Sequence, residues 1–354
     1  MATVSAPKLR FLIGDVLPPD GFAHHRPQTP LDVTPFDRLL NQGKVSRLPG
    51  TVLEEAILDC FGLHADFPAA PLTWLADYPA PPQSAVVRAD PVHLAVSRDN
   101  VQLLDPDIVN PTANEMQAIA ESLNAHYVSQ GLTFAFPSPT RGYVALREHD
   151  LPIGTPIWRM PGANVFDHLV LGKTLTNWRA VLNEIQMMLH AHPINEARQA
   201  RGEVAINGLW FWGAGSLPNP ASACPGLIVS DEPIAVGATK WLGSDSASTD
   251  TSLDALLSEH DADEMLIVLD CATHAVRAVA PEAWQAARNE IGQRWLQPAL
   301  DAQRAGRVSD IDVTLVNESM TIRVACQGGN GLAQRLLRGA SKIARRQVRL
   351  ADFE

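Results

Sequence analysis

Residues 189–215 read LHAHPINEARQARGEVAINGLWFWGAG, and the pattern they complete decides the fold. Just upstream, Trp178, Val181, Leu182, Ile185, Met188 and Leu189 recur at the i, i+3, i+4 spacing of one apolar helix stripe. Pro193 interrupts that helix, because it has no N–H to donate and restricts the residue before it. Asn195 is placed to cap a second, short helix carrying Arg198 and Arg201, with Gly202 as its stop. Residues 206–212 then present apolar groups to both faces, Leu209 and Phe211 against Trp210 and Trp212, as in a strand covered on both sides.

The same alternation continues outward. Residues 9–17, 226–230, 264–269, 311–316 and 320–325 read as strands, and 35–48, 51–63, 112–130, 174–192 and 281–304 as helices. Residues 85–96 and 101–104 form a strand pair about the Arg98-Asp99-Asn100 turn, and 131–147 another pair broken by Pro137-Ser138-Pro139. The Pro- and Ala-rich stretch 67–83 reads as irregular, and the run 243–252, GSDSASTDTS, as a flexible loop. Buried strands alternating with helices imply an α/β fold with a substantial parallel sheet.

A chain of 354 residues with 46% apolar and 19% charged residues buries a sizeable core. Its net charge of −11 argues against general nucleic-acid binding, which needs a basic face. Cys60, Cys224, Cys271 and Cys326 are spread apart without a CxxC pair, so neither a disulfide framework nor a zinc ribbon is expected. The first residues lack the apolar run of a secretory signal and no stretch is long enough to span a membrane, which makes a cytoplasmic setting the expectation.

Guanidinium forks suit carboxylate or phosphate. Arg198 and Arg201 stand three apart on one helix, and His192, Asn195 and Asn207 bring further donors to the same junction. The segment therefore reads as a grip on a phosphorylated or carboxylated small molecule, with Arg88 and Arg141 as additional contacts. A structural reading stands beside it, in which Asn195 caps, Asn207 closes a turn and the arginines lie in solvent. Gly213-Ala214-Gly215 lacks the third glycine and following helix of a phosphate-binding turn, which favours a close chain crossing. Asp15, Asp270 and His274 follow strands and are candidate ligands of a divalent cation, though too few for a closed site. No GxSxG elbow is present, and Cys271 beside His274 reads as packing. The basic helix 332–349 has six Lys or Arg residues and no acidic one. It suits a protein partner, an anionic surface or the acidic body of the same chain.

HPINEARQARGEVAINGLWFWGAG resembles the HPxN…R…G…N…WxWGxG signature of the archaeal-type cofactor-independent phosphoglycerate mutases, members of the alkaline phosphatase superfamily. RADPVHLAVSRDNVQLLD (88–105) and RGYVAL (141–146) resemble that family's middle region, and LRFLIGDVLP and TPFDRLLNQGKV its beginning. NEIQMMLHAHPINEAR followed by NGLWFWGAG is also similar to the RpfE-type regulatory proteins. The likeness covers most of 9–275 and fades beyond. It implies an alkaline-phosphatase-like core with a central, mostly parallel sheet plus an inserted α+β subdomain, with 1–84 and 203–354 as core and 85–202 as insert.

The resemblance also implies a two-metal site and a serine that carries phosphate. Asp15, Asp270 and His274 match metal positions, but the serine position falls on Thr51 or Leu53. An Asp-His pair expected after 311–316 is met by Asn317-Glu318, and no histidine follows His274. With half the ligands absent neither metal is held firmly, and Thr51 stays a neutral alcohol. The expectation is a catalytically degenerate regulatory or small-anion-binding protein without a resident cofactor. Its alternatives are an active mutase or phosphotransferase using Asp15, Thr51, Asp270 and His274 with manganese, magnesium or zinc, and a scaffold that docks through 332–349.

Overall fold

The computed structural model describes residues 6–17, 33–98, 100–146, 151–152, 154–160, 163–168, 178–220, 226–328 and 348–350. The chain divides into two compact units, one of residues 1–62, 222–235 and 242–354, the other of 63–221 and 236–241. Among the described residues the strands are β1 (Lys8–Gly14), β2 (Lys44–Pro49), β3 (Val86–Val96), β4 (Val101–Leu104), β5 (Leu132–Ser138), β6 (Arg141–Leu146), β7 (Gly208–Gly215), β8 (Leu227–Val229), β9 (Asp245–Ala247), β10 (Glu264–Leu269), β11 (Asp310–Val316) and β12 (Met320–Gln327).

The first unit is an α/β layer built on a seven-stranded sheet of order β2-β12-β11-β1-β10-β8-β9. β11, β1, β10, β8 and β9 are mutually parallel, while β12 pairs antiparallel with both β11 and the edge strand β2. The continuous apolar runs of β1 and β10 suit strands covered on both faces. Leu9, Phe11 and Ile13 join Met265, Ile267 and Leu269 in one core with Trp284, Trp295 and Leu300. Parallel strands put their carboxyl ends on one edge, so Asp15, Asp270 and Asn317 follow neighbouring strands there.

The second unit holds an antiparallel sheet of order β4-β3-β6-β5, with β7 paired to β3. The helices Ala113–Tyr127 and Trp178–His190 bury Met116, Ile119, Leu123, Val181, Ile185 and Leu189 against it. β7 is buried on both faces as expected, but its partner is antiparallel β3. The second unit takes in 63–221 and 236–241, with β7 paired to β3 and the helix Ala69–Asp77 packed on both strands.

Three local expectations are corrected. The helix foreseen over 35–48 ends at Gln42, and residues 44–49 form the edge strand β2. The stretch 67–83 contains the helix Ala69–Asp77, whose N-cap is Pro68. Proline is tolerated at a helix start, since the N–H it lacks has no partner there anyway. The Ser/Asp run holds β9, and beside it the Asp231 carboxylate accepts hydrogen bonds from Ser248 Oγ at 3.1 Å and Thr249 N at 2.9 Å. Residues 329–347, most of the expected basic helix 332–349, lie outside the described residues, as does Cys224. No helix among the described residues is long and apolar enough to cross a membrane.

Candidate functional sites

In the second unit, most polar groups singled out in 189–215 are taken up by the fold. His192 caps the helix Pro193–Ala200, its Nδ1 accepting from Ile194 N, while Nε2 lies 3.0 Å from Ser122 Oγ. The buried Asn195 amide donates to Leu189 O at 2.7 Å and Ile206 O at 2.8 Å, and accepts from Ile206 N at 2.8 Å. Asn207 pairs both ends of its amide with the backbone of Leu94. Arg198 is 1% exposed and uses all three nitrogens: Nε on Val204 O, Nη1 on Glu115 Oε2, Nη2 on Val109 O. Arg201 bridges Glu115 and Glu203. Burial opposes charge on Glu115, but the Thr112 backbone N–H and the Arg198 charge outweigh it and hold the carboxyl below its ordinary range. The expected anion grip is thus a clasp joining two helices to β7, because a buried guanidinium or amide must find protein partners.

Gly213 supports the close-crossing reading. It has a φ of 62°, and a Cβ there would stand 3.1 Å from Ala70 N in the helix packed on β7.

Arg88 and Arg141 stand elsewhere, on β3 and β6. Arg88 donates from Nε (3.0 Å) and Nη2 (2.7 Å) to Asp90 Oδ1, and its guanidinium lies 4.8 Å from the Trp212 ring centre. Trp212 Nε1 donates to Asp90 Oδ2 at 2.7 Å. Arg141 forks onto Asp77 at 2.8 and 2.6 Å, and the Tyr143 hydroxyl donates to the same carboxylate at 2.6 Å. Burial works against charge on Asp77, yet the Arg141 and Tyr143 hydrogen bonds bring its carboxyl below the ordinary range. Burial and the Asp77 charge push the Tyr143 phenol far up. Asp77, Asp90, Tyr143 and Trp212 were not foreseen. The signal for Asp90 was legible: two residues from Arg88, it shares a strand face in an otherwise apolar run.

In the first unit, the carboxyl edge of the parallel sheet is where open α/β folds take ligands. Asp15 has a φ of 50°, and its carbonyl accepts from Trp284 Nε1 at 2.7 Å. Burial pushes its carboxyl up to about 6, Thr273 and Arg277 working against the shift and Glu54 and Glu318 with it. Thr51 N donates to Asn317 O, and the Thr51 hydroxyl lies 3.5 Å from Val52 O. Glu54, 5% exposed, pairs through Oε1 with Arg277 Nη2. Its Oε2 is buried without a hydrogen-bond partner. Burial, with Glu54 and Asp270 nearby, pushes Glu232 up to about 7. His274 Nε2 lies 3.3 Å from Asp270 Oδ2. Asp270 makes no side-chain cap to its helix. Among the described residues no group of three His, Cys, Asp or Glu side chains is arranged to hold a metal ion, so Asp15 is not gathered with Asp270 and His274 into one. Burial likewise pushes the Cys271 thiol up to about 11, which leaves it protonated and unreactive at neutral pH.

A Geobacter sulfurreducens protein named "probable 2,3-bisphosphoglycerate-independent phosphoglycerate mutase" is 33% identical over 61 residues, which is 17% of this chain. The match spans 15% of that relative's length. A solved structure of a protein from Pyrococcus horikoshii superposes with a TM-score of 0.49 at 16% identity, covering 92% of this chain and 89% of that one. The cofactor-independent phosphoglycerate mutase from Thermoplasma acidophilum gives 0.42 at 15% identity, covering 91% and 90%. No protein-family model matches the chain. In sequence, then, this chain is similar over a short stretch to a protein named as a phosphoglycerate mutase.

Proposed function

We propose that this protein is phosphoglycerate-mutase-like but catalytically degenerate, and that it acts as a regulatory, small-anion-binding protein in the manner of the RpfE-type proteins its sequence resembles. The observation that carries the reading is the pair Arg88 and Arg141. Each is held by one carboxylate through Nε and Nη2, so that Nη1 of each lies outside those pairs. A guanidinium fixed in this way is held in place to meet an anion with little further loss of side-chain freedom. Asp90 and Asp77 offset both positive charges, so the cluster suits a singly charged carboxylate better than a phosphate dianion.

Degenerate catalysis is supported by the first unit. Phosphoryl transfer through a bound serine or threonine needs a cation or base to lower the nucleophile's pKa. The Thr51 hydroxyl is placed against its neighbour's carbonyl, and the candidate ligands do not form a three-ligand group among the described residues.

Calorimetry with 3-phosphoglycerate and an assay for its conversion to 2-phosphoglycerate with added manganese test the two halves separately. The expected results are measurable binding, weakened at least tenfold by Arg141→Met, and no turnover. Absence of heat ends the anion reading. Turnover that Asp270→Asn abolishes ends the degenerate one.

A further inference from the structure

The carboxyl edge of the first unit has more acid than it has evident means to hold. Glu54 sits at its centre: its charge reaches both Asp15 and Glu232, and Asp270 and Glu318 add to the same field. A carboxylate as buried as Glu54 is costly unless a cation sits on it. In this chain that cation comes from the protein, since Arg277, at the end of the helix Cys271–Arg277, places Nη2 on Glu54 Oε1. The other Glu54 oxygen, buried without a hydrogen-bond partner, is a further oxygen atom of the same edge that an ion could use. Oxygen donors of this kind suit hard divalent cations. A guanidinium and a divalent ion repel each other at the few ångströms that a shared carboxylate imposes. The donor set therefore does not fit a metal while Arg277 is in place.

We propose that Arg277 is the resident cation of this edge: its guanidinium, seated on buried Glu54, stands where a divalent ion would be needed, and the edge takes up such an ion only when the Arg277 charge is removed. The unit is then a metal-free version of a cation-dependent edge. The inference is independent of the Arg88 and Arg141 reading, because it concerns other residues and a different ligand.

The test uses the full chain and manganese(II) alone, with binding read by loss of the free-ion paramagnetic resonance signal and stability by thermal melting. The wild-type protein and Arg277→Lys are expected to bind no stoichiometric manganese at submillimolar concentration and to melt unchanged when it is added. Arg277→Met is expected to melt lower, to bind about one equivalent at least tenfold more tightly, and to recover part of its loss with the ion. In Arg277→Met/Glu54→Gln the carboxylate charge is gone as well. That protein should fold and bind no manganese. Stoichiometric manganese on the wild-type protein overturns the proposal, as does an Arg277→Met protein that gains no affinity. If Arg277→Met cannot be recovered folded, the double variant decides: its failure to fold shows that Arg277 does more than balance Glu54, and overturns the proposal too.

Discussion

Replacing Arg198 by methionine separates a segment that holds the fold from one that holds a ligand. The side chain is 1% exposed, and its partners are two main-chain carbonyls, of Val204 and Val109, and the Glu115 carboxylate at 2.7 Å. Methionine fills most of the volume but donates nothing. Glu115 is 6% exposed and keeps only the Thr112 N–H at 2.8 Å and Arg201 Nη2 at 2.8 Å. Removing one member of a buried ion pair costs about 3–5 kcal/mol. Each carbonyl left without a donor adds about 1–3 kcal/mol where water cannot reach it. Arg201 still reaches Glu115, so these contributions overlap, and the expected loss is about 4 kcal/mol. Against a typical total stability of about 5–15 kcal/mol, that is a large fraction. Urea denaturation at constant slope measures it, and a cycle with Glu115→Gln should give a coupling of about 2 kcal/mol. A loss below about 1 kcal/mol, together with loss of phosphoglycerate binding, would refute the clasp and restore the anion grip.

Three further outcomes follow from the same geometry. Asn195→Leu removes three hydrogen bonds that tie Leu189 to Ile206 and should cost about 2–4 kcal/mol by urea denaturation; a change within experimental error would mean the amide is dispensable. Asp15 and Glu232 have raised carboxyls, so their contribution to stability is complete below about pH 4 and is lost as pH rises from there to about 6 and about 7 respectively, on the order of 3 kcal/mol each. Stability should therefore fall from about pH 4 to about pH 7, and Asp15→Asn should flatten the early part of that fall; an unchanged slope would count against the assignment. His274→Ala removes the half-exposed ion pair with Asp270, which should contribute less than about 1 kcal/mol on thermal melting; a coupling with Asp270→Asn above that in a double-mutant cycle would overturn this.

Why the strands were legible and the polar roles were not is a matter of where the information sits. β10 lies at 264–269 as read, and β11 and β12 within two residues of their expected bounds, because an unbroken apolar run reports burial within its own few residues. β2 has no such run: its residues are almost all exposed, and it is held through backbone pairing with β12, so its side chains carry no period. β9 is concealed in a Ser/Asp run for the same reason. Arg198 and Arg201 were rightly placed on one side of one helix, but their common partner Glu115 is 83 residues from Arg198 in sequence. A local cue existed in Thr112 followed by Glu115 three residues later, a capping pair that fixes the acid at a helix start beside the basic groups.

Polar residues between apolar elements can serve a ligand or the fold, and the residue type does not distinguish the two. The count of atoms left over does. Asn195, Asn207 and Arg198 use every polar end of their side chains within the protein, so none keeps an atom for a ligand without breaking the clasp. Arg88 and Arg141 are each forked onto one carboxylate, Asp90 and Asp77. At the carboxyl edge of the parallel sheet, one Glu54 oxygen is buried without a hydrogen-bond partner, next to acids that burial has made reluctant to ionise. Unused hydrogen-bonding capacity is what a stable fold removes when nothing selects for it. The proposed sites are therefore the Arg88 and Arg141 pair and the Asp15 and Glu54 edge, while most polar groups of the segment 189–215 are bonded within the second unit.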